Sequence, residues 1–235
     1  MRLNSFVASL AIMLMPFAAT AQTNGANQPN IPAHISETIF VQSPDDHVLG
    51  SETAVQSMIV YASVTCPHCG GWFSEEWPKV KTELVDAGIM RFVFREFPTA
   101  PSELSVTGFM LASCAPTDQY FDIIEYQMEN QQQIFKDARE GRAKEAYDKI
   151  AAKAGMTEPE AVAACLGNPD ILRHIQDNVQ RARLGGVEGV PAFFINGQLY
   201  QGPSDADSLI DLIKTLDKNR VTTLPTELTA PKAKR

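Results

Sequence analysis

The 235-residue chain changes its hydrophobic period several times, and each change marks an element. The apolar, β-branched run in "SMIVYAS", Met58 to Ser63, predicts a buried central strand. After Gly70 the period lengthens. Phe73, Trp77, Val80 and Leu84 recur at spacings of three and four, which predicts a helix closed by Gly88. "IMRFVFREF", Ile89 to Phe97, alternates again as a strand. Strand, helix and strand in that order make a β-α-β unit, whose parallel strands require a right-handed crossover. Thr38 to Gln42, "TIFVQ", predicts a short first strand, and "SPDDHVLGSETAV" after it reads as a turn-rich loop.

Residues 99–183 carry the helical period almost throughout, with breaks at Ala115-Pro116-Thr117, Gly141, Gly155-Met156-Thr157 and Gly167-Asn168-Pro169. Four or five helices and no strand are expected there. A strand returns in "PAFFING", Pro191 to Gly197, whose Asn196-Gly197 pair signals a hairpin into "QLYQG". Ser204 is expected to cap a last amphipathic helix reaching about Asn219. The predicted fold class is α/β, the thioredoxin architecture with a helical domain inserted in its middle. Its first part spans 38–98, the helical insertion 99–183 and its second part 184–220, with a disordered tail at 221–235.

The N-terminus changes the picture. Arg2 precedes the apolar run "FVASLAIMLMPFAA" and the small-residue triplet Ala19-Thr20-Ala21, the signature of a secretory signal peptide cleaved after about Ala21. Residues 22–37 are polar and broken by prolines, as in a flexible leader. Loss of residues 1–21 removes one arginine and no acid, so the net charge moves from −8 to −9. Such an acidic chain has no electrostatic reason to bind nucleic acid or anionic lipid. All four cysteines, Cys66, Cys69, Cys114 and Cys165, follow the cleavage point. In an oxidising compartment they allow two disulfides with three pairings.

The candidate chemistry is "CPHC" at 66–69, placed at the turn from strand to helix. A helix N-terminus offers unpartnered N–H groups and the positive end of the macrodipole. Cys66 at the helix start is therefore expected to be the exposed, thiolate-stabilised nucleophile, and Cys69 one turn in its buried partner. His68 adds donors and, when protonated, positive charge; Pro67 fixes the turn. Stabilising the thiolate favours the dithiol and makes the disulfide more oxidising. A structural bridge over two intervening residues would gain little loop entropy. A metal site would need more ligands than one C-x-x-C supplies, so none is expected. Pro191 in "EGVPAFFING" starts a strand, and a cis Val190-Pro191 bond would turn the Val190 backbone toward the cysteines for pairing with an extended substrate. His34, His47 and His174 are solitary in sequence and read as surface or capping residues; Trp72 and Trp77 read as core or groove-flanking.

Over about residues 38–220 these features resemble the DsbA-like thiol:disulfide oxidoreductases of the bacterial periplasm. The resemblance rests on "CPHC", the strand leading into it, "VFREFP", the helical insertion and "GVPAFFING". It implies that Cys66 exchanges with substrate thiols, Cys69 resolves, His68 tunes the potential, and Val190 and Pro191 bind substrate. Cys114 and Cys165 look like the extra pair of an alphaproteobacterial subgroup, which implies a second disulfide in the helical region; it is read as structural, with a regulatory bridge or two buried free thiols as the alternatives. One position departs. Family members from enteric bacteria often carry a buried acid six residues before the first cysteine, where this chain has Val60, and Glu76 or Glu188 are the carboxylates nearby in sequence.

The expected protein is a monomeric periplasmic oxidase without an organic cofactor or metal. Its disulfide would pass to reduced, partly unfolded exported proteins, and a membrane quinone-linked protein would reoxidise it. A disulfide isomerase or reductase is the alternative within enzymes, although the leader is too short for the dimerisation domain of related isomerases. A non-catalytic periplasmic holdase is the alternative outside them.

Overall fold

The structure, a computed structural model, describes residues 32–223. The expected signal peptide, most of the expected leader and the tail beyond residue 223 lie outside the described residues.

The first described element corrects the expected leader: Ala33–Ser36 form a short helix, α1, and bury Ile35 completely. The expected strand at Thr38 to Gln42 is absent, and the first strand is β1, His47–Leu49, inside the expected loop. The cause is a buried cation. Arg95 donates to the carbonyls of Ile39 and Val41 at 3.1 and 2.7 Å, so a guanidinium takes backbone acceptors that a ladder would have used. The same side chain is paired with Asp46 at 2.8 Å, with both side chains fully buried.

Strand β2, Gln56–Ala62, leads through Ser63–Thr65 into helix α2, Pro67–Glu75. The expected single helix then breaks. Helix α3, Trp77–Val80, follows, and a π turn over Lys81–Val85 closes the segment. Pro78 has no N–H to donate to the preceding turn, which accounts for the interruption after Glu75. Strand β3, Met90–Glu96, lies parallel to β2, with Val60 opposite Phe94 and Ala62 opposite Glu96.

The insertion holds six α-helices: α4 Ser102–Ser113, α5 Tyr120–Glu129, α6 Gln131–Arg139, α7 Ala143–Lys153, α8 Pro159–Leu166 and α9 Pro169–Leu184. The extra helix comes from a break at Asn130, unmarked by glycine or proline, where the side-chain amide donates back to the Tyr126 carbonyl at 2.8 Å. Asn168 caps α9 by accepting from the Asp170 and Ile171 N–H groups.

Strands β4, Ala192–Ile195, and β5, Gln198–Tyr200, form the expected hairpin. Asn196 and Gly197 have φ of 49° and 83°, as a two-residue hairpin turn requires. The final helix, α10, spans Ala206–Thr223 and so enters the stretch expected to be a tail. Its cap is Asp205, which accepts from the Ser208 N–H at 2.9 Å, rather than Ser204. Glu76 supports the same end by accepting from the Ala206 N–H.

The sheet order is β1-β3-β2-β4-β5, with β2 in the centre. Met58, Val60 and Ala62 face one core, with Trp72, Phe73, Trp77, Phe92 and Phe94. Ile59 and Tyr61 face a second, with Val93, Ala182 and Phe194. A strand covered on both faces has to be apolar throughout, which is why β2 reads as a continuous run. This clamped strand delivers its C-terminal end to the "CPHC" turn.

Candidate active site

Cys66 is the N-cap of α2, in extended conformation, with Pro67 in the first turn. It is partly exposed, whereas Cys69, one turn inward, is fully buried. The helix start therefore sets an accessible sulfur above an inaccessible one, with unpartnered N–H groups and the positive dipole end around the outer sulfur. The two cysteines are not bonded to each other. Burial pushes the Cys69 thiol well above the ordinary range, although the Ser63 N–H donates to its sulfur at 3.4 Å. At neutral pH Cys69 is thus a protonated thiol.

The Cys66 sulfur faces the loop before β4. The Val190-Pro191 bond is cis, and the Val190 carbonyl lies 3.4 Å from the Cys66 Sγ as acceptor. His68 and Pro67 are exposed on the first turn. Thus Cys66, Pro67, His68, Cys69, Val190 and Pro191 meet in one place. Beside Pro191 a cavity of about 370 Å³ is lined by Glu188, Phe193 and Tyr200 among others.

Two supports were not visible in the sequence. Gln131, buried at the start of α6, donates to the carbonyls of Val64 and Cys66 at 2.9 and 3.0 Å. It can approach because Gly70 has no side chain: a Cβ there would meet the Gln131 amide at 2.9 Å. Beneath the turn, the Ser63 hydroxyl bonds with those of Ser105, Thr99 and Thr65 at 2.8, 2.9 and 3.1 Å. Polar residues in an apolar run were the only hint of this network.

Val60 is fully buried among apolar neighbours, so no acid occupies that place. Glu76 caps α10, and Glu188 is exposed at the cavity beside Pro191. A buried carboxylate that sequence reading passed over is Glu96, at the end of β3. His47 and His174, read as solitary, both approach it. Burial opposes its ionisation, but the His174 and His47 imidazoles prevail and hold the carboxyl at about 2. Burial lowers the His47 pKa, whereas at His174 the same carboxylate outweighs burial and raises it. His34 approaches Asp177 at 3.3 Å, and Trp72 and Trp77 are core residues whose indole N–H groups donate to the Ser204 carbonyl and Glu125.

Cys114, the C-cap of α4, and Cys165, on α8, are joined by a disulfide that closes a sequence separation of 51. A cavity of about 670 Å³ lies between α4, α7 and α8 and is mostly apolar, lined by Leu104, Leu111, Tyr147, Met156 and Val162 among others. Neither Cys66 nor Cys69 lines it. Among the described residues no helix is long and apolar enough to cross a membrane.

The family described as Thioredoxin matches residues 42–215. A Rickettsia prowazekii protein named as a candidate protein-disulfide oxidoreductase is 27% identical over 184 residues, covering 78% of this chain and 64% of that protein. A Rickettsia conorii protein of the same description is 28% identical over 173 residues, covering 72% of this chain and 60% of that one. The chain thus spans somewhat less than two thirds of the length of these relatives. Among solved structures, Wolbachia pipientis alpha-DsbA1 superposes with a TM-score of 0.70 at 23% identity, covering 82% of this chain and all of that one. This likeness establishes the fold, a thioredoxin-like α/β unit with an inserted helical region.

Proposed function

The chain belongs to the thioredoxin family, and on that footing we propose that it is a protein disulfide oxidoreductase that donates a Cys66–Cys69 disulfide to reduced exported proteins. The observation that carries this reading is the vertical arrangement of the pair: Cys66 is accessible at the N-terminus of α2, and Cys69 is buried beneath it. The relatives named for disulfide exchange support it.

In the oxidised protein a substrate thiolate attacks the Cys66 sulfur, the only one of the two that solvent reaches. The Cys66–Cys69 bond breaks, a mixed disulfide forms at Cys66, and Cys69 leaves and takes up a proton. A second substrate thiolate then attacks the substrate sulfur of that bond. Cys66 departs as a thiolate, a charge that the N-terminal N–H groups and dipole of α2 favour. The substrate loses two electrons and two protons overall, and the cysteine pair accepts both electrons. During the exchange the Val190 backbone, beside Cys66, is placed to pair with an extended substrate segment, and the cavity beside Pro191 to take one of its side chains. His68, exposed next to Cys66, tunes the potential.

In this reading the protein works in the periplasm after loss of residues 1–21 and acts as a monomer without an organic cofactor. A membrane quinone-linked protein reoxidises it, and the Cys114–Cys165 bond is structural. The deciding experiment is equilibration of the Cys66–Cys69 pair with glutathione. A potential near about −120 mV, that of DsbA, is expected; one near about −270 mV, that of thioredoxin, would make the protein a reductase. A Cys66→Ser/Cys69→Ser variant that still protected unfolded chains from aggregation as well as the parent would instead indicate a holdase.

A further inference from the structure

Glu96 is a buried carboxylate with no lysine or arginine beside it among the described residues. Tyr120 donates its hydroxyl to Oε1 at 2.8 Å and Asn178 its amide to Oε2 at 2.6 Å, both neutral donors. The remaining groups against it are imidazoles. His47 Nε2 lies 3.8 Å from Oε1, and His174 Nε2 lies 3.5 Å from Oε2. One ligand atom from each of the three residues lies within 4.8 Å of the other two.

The orientation of these groups is set from outside. Arg181 donates to the Asn178 Oδ1 at 2.8 Å, so the Asn178 amide nitrogen must be the atom turned toward Glu96 and His174. That nitrogen lies 3.0 Å from the His174 Nε2 and donates to it in the tautomer whose Nε2 carries no proton. In that tautomer Nε2 presents a lone pair 3.5 Å from a carboxylate oxygen, which also has only lone pairs to offer. A proton on Nε2 satisfies the pair as an ion pair with Glu96, and a metal ion in the place of that proton would bridge the same two atoms. His47 is fixed by stacking on the ring of Tyr120, with centroids 3.4 Å apart and planes 7° from parallel. The residue that stacks on one imidazole thus also holds the carboxylate, and so fixes the two relative to each other.

Access is present too. Both imidazoles line a cavity of about 340 Å³, with Asp45, Asp170 and Asp177 at its walls and Arg173 already paired with Asp170. The side chains of His47 and His174 are 21% and 15% exposed, and that of Glu96 is not exposed at all. A cation would therefore pass an acidic rim, meet two imidazoles and reach a buried carboxylate.

We propose that His47, Glu96 and His174 form a binding site for a divalent transition-metal ion, zinc foremost, with its remaining coordination position open to the cavity. Two imidazoles and one carboxylate are the donor set that zinc accepts at about 2.0–2.2 Å, whereas calcium and magnesium take oxygen ligands. Tetrahedral bonds of that length separate ligand atoms by about 3.3–3.5 Å. The His174 Nε2 is already at that spacing from Oε2, at 3.5 Å, and the His47 Nε2 lies 3.8 Å from Oε1, so side-chain movements within the 4.8 Å that spans the three ligand atoms complete the set. In displacing the Asn178 amide from His174, the metal would leave Asn178 its bond to Glu96. The site ties β1, β3 and α9 together and is separate from the cysteine pair.

The test is titration of the full chain with zinc in competition with a chromophoric chelator, and with cobalt for its absorption spectrum. The protein is first oxidised so that Cys66 and Cys69 cannot bind metal. One equivalent at micromolar affinity or tighter is expected, with a cobalt spectrum lacking thiolate charge-transfer bands. His47→Ala and His174→Ala, checked for folding by circular dichroism, should each weaken binding by more than the about 10–100-fold typical of losing an outer-shell partner. His47 lies at the cavity on a short strand, so its variant is the one least exposed to misfolding. Binding weaker than millimolar, binding unchanged in folded His47→Ala, or binding confined to the reduced protein would each overturn the site.

Discussion

The side-chain amide of Gln131 donates to the carbonyl of Cys66 at 3.0 Å, and so a residue of the helical insertion holds the turn that carries the exposed sulfur. Its second bond, to the Val64 carbonyl at 2.9 Å, satisfies an acceptor in a residue that is itself buried. The insertion thereby shapes the cysteine turn directly.

Gln131→Ala removes both bonds and strands the Val64 carbonyl away from water. The expected cost is about 1–3 kcal/mol, the penalty for leaving a buried acceptor unpaired. Urea denaturation of the variant should show a lower midpoint at unchanged slope. Disulfide exchange should slow in the same variant, because the turn is no longer held. A variant as stable and as fast as the parent would show that the two bonds add nothing.

The two sulfurs should differ sharply toward an alkylating agent. Cys66 is partly exposed at the helix start, while Cys69 is fully buried and its thiol is pushed up by that burial. Brief iodoacetamide treatment of the reduced protein at neutral pH should give one adduct, at Cys66 by mass spectrometry. By the same logic Cys69→Ser should accumulate mixed disulfides with substrate, and Cys66→Ser should form none. Equal labelling of both cysteines would contradict the assigned roles.

The Cys114–Cys165 bond closes a sequence separation of 51. Loop-closure entropy assigns such a bond about 4 kcal/mol of stabilisation. Cys114→Ala/Cys165→Ala should lose most of that in chemical denaturation while the potential of the other pair stays the same. A shift in potential with little loss of stability would instead make the bond regulatory.

Elements whose fate was local could be read from sequence; those decided at a distance could not. The run in β2, the "CPHC" turn and the Asn196-Gly197 hairpin depend on neighbours in the chain, and each stands where the pattern placed it. "TIFVQ" had the composition of a strand, but Arg95, more than fifty positions later, takes its carbonyls and keeps it out of the sheet. His47 and His174 looked solitary because the carboxylate that joins them lies on a third element. The break at Asn130 was invisible for a related reason. A polar run without glycine or proline does not announce where a helix stops, yet that stop places Gln131 against the cysteine turn.

Glu125 accepts the indole N–H of Trp77 at 2.7 Å beside the fully apolar wall of the main core. Burial raises its pKa, an effect the Trp77 bond opposes without cancelling. The folded state thus holds the proton more tightly than the unfolded chain. For a raised pKa the associated stability is present in full below the unfolded value of about 4.3 and is lost as pH rises through the folded value. Glu125→Gln cannot ionise and escapes that loss. The difference in melting temperature between variant and parent should therefore shift in favour of the variant between pH 4 and pH 7, with Trp77 fluorescence in the parent changing over the same interval. A difference that stays constant across that range would mean that Glu125 titrates alike in the folded and unfolded chain, and that its place beside Trp77 is better solvated than its burial implies.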